Sequence, residues 1–234
     1  MVDPGATTPV SAPDEHPSRR TGSVRWLALG DSYTIGEGVA AHERWPDRLA
    51  LLLEAEGIPV TPPSIVATTG WTAAELLAGI EAAGLGPSAS PCDLVTLLIG
   101  VNDQYRGHSL SAFAPDYARC VERAIELAGG RPARVLALSI PDWSVTPFAA
   151  GRDRLAIATE IDRYNAYQYA HLTPLGAHWC DITALSRQQG GDVDYLAADG
   201  LHPGGAAYIQ WALAALRHAR RASVGMPPAE SPDR

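Results

Sequence analysis

The sequence predicts an α/β fold in which a mostly parallel sheet carries helices on both faces. Short apolar runs alternate along the chain with longer segments of helical spacing, as they do when crossover helices join parallel strands. One run, DLVTLLI at 93–99, is apolar almost throughout, which is typical of a strand covered on both faces. The chain has 234 residues, a length that suits one large domain or one domain with tails.

Five short apolar runs are predicted to be the strands. Turn residues bound them: Gly30 follows the first run and Pro141 follows the fourth. The predicted strands lie at 24–29, 64–67, 93–99, 134–140 and 177–182. Their alternation with helices implies parallel pairing.

Five longer segments have the apolar spacing and the end signals of helices. Thr72, with Glu75 three residues later, forms a capping-box pattern, and Gly57 is a C-cap candidate. Pro203 suits the first turn of the last helix. The predicted helices lie at 45–56, 72–83, 114–128, 155–172 and 203–217.

Both ends of the chain are predicted to be flexible tails. Residues 1–23 and 223–234 are rich in proline and small or charged residues, and neither segment has a period that would face a core. This leaves residues 24–222 as one folded domain, without an internal repeat or a second linker.

The composition excludes several classes of protein. With 18 basic and 26 acidic side chains, the net charge of −8 argues against a nucleic-acid binder and against docking to an anionic membrane surface. No apolar run approaches the ~18 residues of a membrane span, and the N-terminus lacks the apolar core of a signal peptide, so we expect a cytoplasmic protein. Cys92, Cys120 and Cys180 form no CxxC pair, so neither a disulfide scaffold nor a metal site is expected.

Four polar segments stand at the predicted ends of strands or just before the last helix. In parallel α/β sheets, ligands bind outside the carboxyl ends of the strands. We therefore expect the functional site to be built from GDS at 30–32, TGW at 69–71, GVND at 100–103 and DGLHP at 199–203.

The residues of these segments match the needs of acyl transfer from an ester. That chemistry requires a nucleophile, a base, a group that orients the base, and donors for an oxyanion. Ser32 is the candidate nucleophile and His202 the candidate base, with Asp199 placed to orient the imidazole. The backbone N–H of Gly70 and the side chain of Asn102 are the candidate oxyanion donors.

Each segment also has a purely structural interpretation. Gly-Asp-Ser and Asp-Gly are common turn sequences, and Gly70 is compatible with a left-handed turn. Asp31 and Asp103 are candidates for bracing their loops through backbone N–H groups. A phosphate cradle at 30–38 is disfavoured, because the segment lacks the Lys-Ser/Thr end of a P-loop and the third glycine of GxGxxG. The placement of all four segments on one predicted rim favours catalysis.

Together, GDSYTIGEG, TTGWT, GVND and DGLHP resemble the GDSL/SGNH hydrolase family over residues 24 to about 217. The resemblance implies a three-layer α/β/α sandwich of flavodoxin-like type with a five-stranded parallel sheet. Tyr33 stands where the motif that names the family has Leu. Because that position follows the nucleophile and does no chemistry, the assignment of the triad is unaffected.

The resemblance also implies roles for individual residues. Ser32 is implied to be the nucleophile, with Asp199 and His202 as its triad partners. The implied oxyanion hole consists of the backbone N–H groups of Ser32 and Gly70 and the side chain of Asn102.

Aromatic residues near the predicted rim are candidates for a substrate pocket. The loop at 141–153 is longer than the usual connection of about 4–6 residues, and such loops often shape pockets. A second irregular stretch, at 186–198, is expected to flank the substrate entrance. The candidate pocket residues are Tyr33, Trp71, Tyr105, Trp143 and Phe148.

These observations predict a serine esterase that acts through an acyl-enzyme and needs neither a metal nor a cofactor. Its expected substrate is a small carboxylic ester, most simply one with an acetyl or short acyl group. Two alternatives stay open at this point. One is an acyltransferase that uses a sugar or alcohol acceptor, and the other is a ligand-binding module that keeps the fold without the catalysis.

Overall fold

The central sheet of the computed structural model has five parallel strands, so the predicted α/β fold is confirmed. The structure describes residues 22–86 and 90–229. Residues 1–21 and 230–234 of the predicted tails lie outside the described residues. The strands are β1 (Trp26–Gly30), β2 (Ser64–Ala67), β3 (Leu94–Leu98), β4 (Val135–Leu138) and β5 (His178–Cys180).

The order of the strands across the sheet is β2-β1-β3-β4-β5. The chain adds β2 on one side of β1 and then returns to add β3 on the other side. Such a reversal opens a crevice at the carboxyl ends of the two strands where it occurs. The crevice of this sheet therefore lies beyond the last residues of β1 and β3.

Helices cover both faces of the sheet. The described residues form eight α-helices: α1 (Ser32–Ile35), α2 (Trp45–Ala55), α3 (Ala73–Ala82), α4 (Val101–Tyr105), α5 (Leu110–Leu127), α6 (Arg154–Leu172), α7 (Thr183–Gln189) and α8 (Gly205–Ser223). α2 and α8 pack together on one face, whereas α3, α5 and α6 form a layer on the other. These layers make the three-layer α/β/α sandwich that the sequence analysis implied.

The capping box of α3 is confirmed. The Glu75 N–H donates to the Thr72 hydroxyl at 3.3 Å, and the Thr72 N–H donates to the Glu75 carboxylate at 2.8 Å. The two bonds satisfy amide groups that have no partner inside the helix. α3 therefore begins where the sequence predicted.

Three short helices, α1, α4 and α7, were not predicted. They follow strands directly, where the sequence analysis expected turns or irregular chain. α1 is capped by the Asp31 carboxylate, which accepts from the Tyr33 N–H, and it ends at Gly36 with φ 73°. The stretch at 186–198 was predicted to be irregular, but its first part belongs to α7 and is helical as far as Gln189. Helices this short carry too few residues to show a helical period.

Two long helices differ from their predicted bounds. α5 begins at Leu110 because the Ser109 hydroxyl caps it, and Pro115 lies inside the helix rather than near its start. α8 continues past its predicted end at 217, since Ala219, Ala222 and Ser223 are fully buried. The predicted boundary between domain and tail, at 222–223, lies at the C-terminal end of this helix.

No helix in the described part of the chain has the length and apolar character needed to cross a membrane. The hydrophobic core lies on both faces of the sheet, and all residues of β1, β3 and β4 are buried. Inside it, the Trp26 indole N–H donates to the Thr96 hydroxyl at 3.1 Å, which satisfies a polar group that has no access to water.

Gly79, in the middle of α3, yields a test of the packing against Trp71. A Cβ built on Gly79 would lie 2.1 Å from Cη2 of the Trp71 indole. We expect Gly79→Ala to lower the free energy of unfolding by about 1–3 kcal/mol, measured by urea denaturation, because the methyl group overpacks the contact. At a solvent-exposed position inside a helix, the same Gly→Ala change stabilises the folded state by about 1 kcal/mol.

A double-mutant cycle with Trp71→Phe supplies the control. The smaller ring leaves the position of Cη2 empty, so adding the methyl group should cost less in the Phe background. An equal cost in both backgrounds would show that the indole is not the obstacle.

Candidate active site

Side-chain contacts join all four of the predicted site segments at the carboxyl edge of the sheet. The Asn102 Nδ2 donates to the Trp71 carbonyl at 2.9 Å and lies 3.4 Å from the Asp31 carboxylate. The Tyr33 ring packs against the His202 ring with centroids 5.6 Å apart. Asp31 and His202, at opposite ends of the folded domain in sequence, are thereby brought to one crevice.

Ser32 is the first residue of α1 and is almost fully buried, with 4% of its surface exposed. Gly30 makes this position possible, because a Cβ there would lie 2.5 Å from the Leu98 carbonyl of β3. The backbone N–H of Ser32 has no backbone acceptor among the described residues. Nor does a hydrogen bond join the Ser32 hydroxyl to His202 in the described part of the chain; Tyr33 provides the contact between the two segments.

Asp199 and His202 form a tight pair on the turn before α8. The His202 Nδ1 lies 2.6 Å from Asp199 Oδ2, while Asp199 Oδ1 accepts from the backbone N–H groups of Leu201 and His202, each at 2.9 Å. Partial burial raises the pKa of Asp199, but these hydrogen bonds outweigh it and leave the pKa below its ordinary value. An ionised Asp199 favours the tautomer in which Nδ1 carries the proton and Nε2 is free to accept one.

The loop after β2 presents Gly70 beside Asn102. Gly70 has φ 84°, a left-handed conformation that side-chain-bearing residues rarely adopt. Its carbonyl accepts from Arg106 Nη2 at 2.6 Å, and the Trp71 carbonyl accepts from Asn102. The Gly70 N–H has no backbone acceptor in the described part of the chain, so it is available to a ligand.

Two buried aspartates brace this edge, as the sequence analysis expected. Asp31 Oδ1 accepts from the Tyr33 N–H at 3.0 Å, and Asp103 Oδ2 accepts from the Ala73 N–H at 2.9 Å. His108 Nδ1 lies 3.2 Å from the other oxygen of Asp103. Burial raises the pKa of Asp31 to about 8, and burial also raises the pKa of Asp103.

The candidate pocket residues occupy three different places. Tyr33 and Trp143 line a mostly apolar pocket, together with Leu201, which directly precedes His202. Tyr105 and Phe148 lie next to Trp143, with ring centroids 5.4 and 6.1 Å from it, and are partly exposed. Trp71 packs on Gly79 of α3 and does not line this pocket.

Three residues at the site were missed by sequence reasoning. Gln104 and Arg106 follow the GVND motif directly, so their position after β3 was a usable signal. Gln104 accepts from the indole N–H of Trp143, and Arg106 holds the Gly70 carbonyl. Arg152, at the end of the long loop, lies over the rings of Tyr105, Trp143 and Phe148, a contact between distant residues that no local pattern reveals.

The buried Asp31 makes stability depend on pH. Its pKa is higher in the folded chain than the ordinary value of 3.8, so between about pH 4 and 8 the folded state binds more protons than the unfolded state. The stability contributed by the protonated carboxyl is complete at low pH and is lost as pH rises through the native pKa. Relative to Asp31→Asn, the wild type should lose up to about 1 kcal/mol of unfolding free energy per pH unit between pH 5 and 8.

Urea denaturation at several pH values measures this difference. Asp194→Asn is the matched control, because it removes one carboxylate from an exposed position. Parallel curves for the wild type and Asp31→Asn would contradict a protonated Asp31 in the folded state.

A family model described as "GDSL-like Lipase/Acylhydrolase family" matches residues 28–208. A comparison with the curated proteins found no match.

Solved structures share the fold. The structure of TesA is 21% identical, with a TM-score of 0.64, and the match covers 85% of this chain and 99% of that one. Axe2, an acetylxylan esterase from Geobacillus stearothermophilus, is 20% identical with a TM-score of 0.65, covering 85% and 95% of the two chains. A G-D-S-L family lipolytic protein from Veillonella parvula is 19% identical with a TM-score of 0.63, covering 82% and 96%.

At these identities the solved structures establish the fold, and the family model establishes the family. The family model spans most of the folded domain, from β1 into α8, and includes all four segments of the site. The chain therefore belongs to the GDSL-like lipase/acylhydrolase family, a family of ester hydrolases.

Proposed function

We propose that the protein hydrolyses small carboxylic esters with acetyl or short acyl groups, through an acyl-enzyme on Ser32. The observation that carries this proposal is the Asp199–His202 pair, with 2.6 Å between carboxylate and imidazole, packed through Tyr33 against the segment that holds Ser32. A histidine oriented by a carboxylate beside a serine is the arrangement that activates a hydroxyl nucleophile.

In the first half of the reaction, His202 Nε2 takes the proton of the Ser32 hydroxyl as Oγ attacks the ester carbonyl. Asp199 holds the imidazole through Nδ1 and stabilises the imidazolium that forms. His202 then gives this proton to the leaving alcohol. In the second half, a water molecule repeats the sequence on the acyl-enzyme and releases the acid.

Three donors are proposed to stabilise the oxyanion of the tetrahedral intermediate. The backbone N–H groups of Ser32 and Gly70 lack backbone acceptors in the described residues, which supports a role toward a ligand. Asn102 supplies a side-chain N–H, and its bond to the Trp71 carbonyl holds the amide next to Gly70. Donors fixed in advance stabilise developing charge without reorganising at the moment of reaction.

A small acyl group suits the pocket beside the proposed triad. Tyr33 and Trp143 are nearly fully buried, and Tyr105 and Phe148 pack against Trp143, so bulky rings occupy the space at this end of the crevice. Axe2, which shares the fold, is an acetylxylan esterase, and this supports an acetyl ester as the first compound to test.

Replacement of the proposed nucleophile is the first test. Ser32→Ala should lower kcat for p-nitrophenyl acetate by about three orders of magnitude or more, because no other group at the site replaces the hydroxyl. The assay follows p-nitrophenolate release, with Tm measured to confirm folding. Ser111→Ala, on the exposed side of α5, is the matched control and should keep its activity. Near-normal turnover by Ser32→Ala would contradict the mechanism.

The proposed oxyanion donor is tested separately. Asn102→Ala should lower kcat by about 10²–10³, as expected for the loss of one oxyanion donor. Its inhibition constant for a trifluoromethyl ketone, which mimics the tetrahedral state, should rise in parallel with the fall in kcat/KM.

Asn165→Ala is the control for that experiment. Asn165 also supports a loop, since it accepts from the Ile140 N–H at 2.8 Å and donates to the Ile140 carbonyl. It should affect Tm without the parallel change in inhibitor binding. If Asn102→Ala lowers Tm but leaves inhibitor binding unchanged, Asn102 supports the loop and does not bind the oxyanion.

A further inference from the structure

We propose that Arg152 binds a carboxylate carried by the substrate, so that the enzyme prefers esters with a negative charge close to the scissile bond. This inference rests on the proposed function, because it assigns a substrate class to the same site. Two observations support it: the guanidinium of Arg152 packs on three aromatic rings, and those rings lie at the crevice.

The rings of Tyr105, Trp143 and Phe148 form one aromatic cluster. Their centroids are 5.4 to 6.1 Å apart, at the tilted and edge-on angles that aromatic pairs prefer. Tyr105 belongs to α4, whereas Trp143 and Phe148 belong to the loop after β4. The cluster therefore joins two loops that leave neighbouring strands.

Hydrogen bonds hold the cluster in place. The Trp143 indole N–H donates to Gln104 Oε1 at 2.8 Å, and Gln104 Nε2 donates to the Glu160 carboxylate of α6 at 2.7 Å. Trp143 is only 3% exposed. This chain of bonds fixes the central ring, so the two outer rings pack on a rigid support.

The guanidinium of Arg152 lies over all three rings of the aromatic cluster. Its central carbon is 5.1, 5.3 and 5.4 Å from the centroids of Tyr105, Trp143 and Phe148. Its Nη2 also donates to the Tyr105 hydroxyl at 3.2 Å. This is the one hydrogen bond of the Arg152 side chain within the described residues, so its other N–H donors are available to a carboxylate, whose geometry they match.

Arg152 has no carboxylate partner in the described part of the chain, and it is exposed. Two other arginines near the crevice do have such partners: Arg106 pairs with Glu75, and Arg187 pairs with Asp142. The charge of Arg152 is thus held in place but not neutralised. Because the rings already restrict the side chain, binding an anion costs less conformational entropy than with a freely moving arginine.

The aromatic cluster connects Arg152 to the two segments that carry the proposed catalytic groups. Tyr105 lies one helical turn after Asn102 in α4, so the two share a face of that helix. The Phe148 N–H donates at 3.2 Å to the carbonyl of Gly200, between Asp199 and His202. The cluster therefore reaches both the oxyanion side and the triad side of the crevice.

The positive charge of Arg152 stands out because the rest of the chain is acidic. The chain carries a net charge of −8, so its long-range field repels an anionic substrate. Asp153 and Glu160 are the acidic groups of the adjoining helix end, and both are engaged, by the Ala156 N–H and by Gln104 respectively. Recognition of an anion at this site therefore requires a local cation, which Arg152 supplies.

Two pairs of esters test the proposal and locate the charge. In the first pair the leaving group is charged or neutral: p-acetoxybenzoate and its methyl ester. In the second the acyl group is charged or neutral: p-nitrophenyl hydrogen glutarate and p-nitrophenyl valerate. The quantity measured is the ratio of kcat/KM for the charged ester to that for the neutral ester, with Ser32→Ala protein as the blank for spontaneous hydrolysis.

Arg152→Ala should lower this ratio by about tenfold in one of the two pairs, as expected for the loss of a charge-assisted hydrogen bond. The affected pair shows whether the carboxylate sits on the acyl or the alcohol side. Arg152→Lys should restore part of the ratio, and added salt should lower the wild-type ratio. Arg163→Ala, which removes an exposed arginine from α6, is the matched control and should leave the ratio unchanged.

The alternative outcomes are distinct. If Arg152→Ala slows the charged and the neutral ester of both pairs equally, the arginine only covers the aromatic cluster and the proposal is wrong. An unchanged ratio in both pairs, with unchanged rates, overturns it as well. If the wild type hydrolyses none of the four esters, the proposed function itself fails and the inference falls with it.

Discussion

Parallel pairing of β1 with both β2 and β3 is the constraint on which the site depends. It forces three chain segments, separated by tens of residues, to leave the sheet at the same edge. Asn102 links the segments that follow these three strands, since its amide donates to the Trp71 carbonyl and lies next to the Asp31 carboxyl group. The side chain proposed to bind the oxyanion is therefore also a structural link between strand ends.

The same edge contains two buried carboxyl groups. Asp31 and Asp103 are 0% and 2% exposed, although burial of a carboxylate is unfavourable unless it is hydrogen-bonded or protonated. Both carboxyl groups accept backbone N–H groups at the starts of helices, where such amides have no partner inside the helix. They position α1 and α3, and through them Ser32 and the loop that carries Gly70.

A second link joins the proposed oxyanion hole to the proposed triad through aromatic side chains. Tyr33 contacts His202, while the cluster of Tyr105, Trp143 and Phe148 connects α4 to the turn that holds Gly200. Rigid rings with few rotatable bonds hold these loops at little entropic cost. The proposed catalytic groups and the proposed binding site at Arg152 therefore share one support.

The sequence by itself determined the succession of strands and main helices along the chain, the capping box of α3 and the four motif segments, together with the family they indicate. These features depend on residues within a few positions of one another, such as Thr72 with Glu75 or Asp199 with His202. The start of α5 and the end of α8 were predicted wrongly, because Ser109 caps α5 earlier in the chain and the burial of Ala219 and Ala222 extends α8.

Only the tertiary structure decided which candidate rings reach the pocket. Trp71 packs on Gly79. Trp143 instead lines the pocket, where its indole N–H donates to Gln104. It likewise decided that Arg152 would rest on three rings that come from two different loops. Such contacts join residues far apart in the chain, and their geometry depends on how the layers pack, so no local pattern in the sequence encodes them.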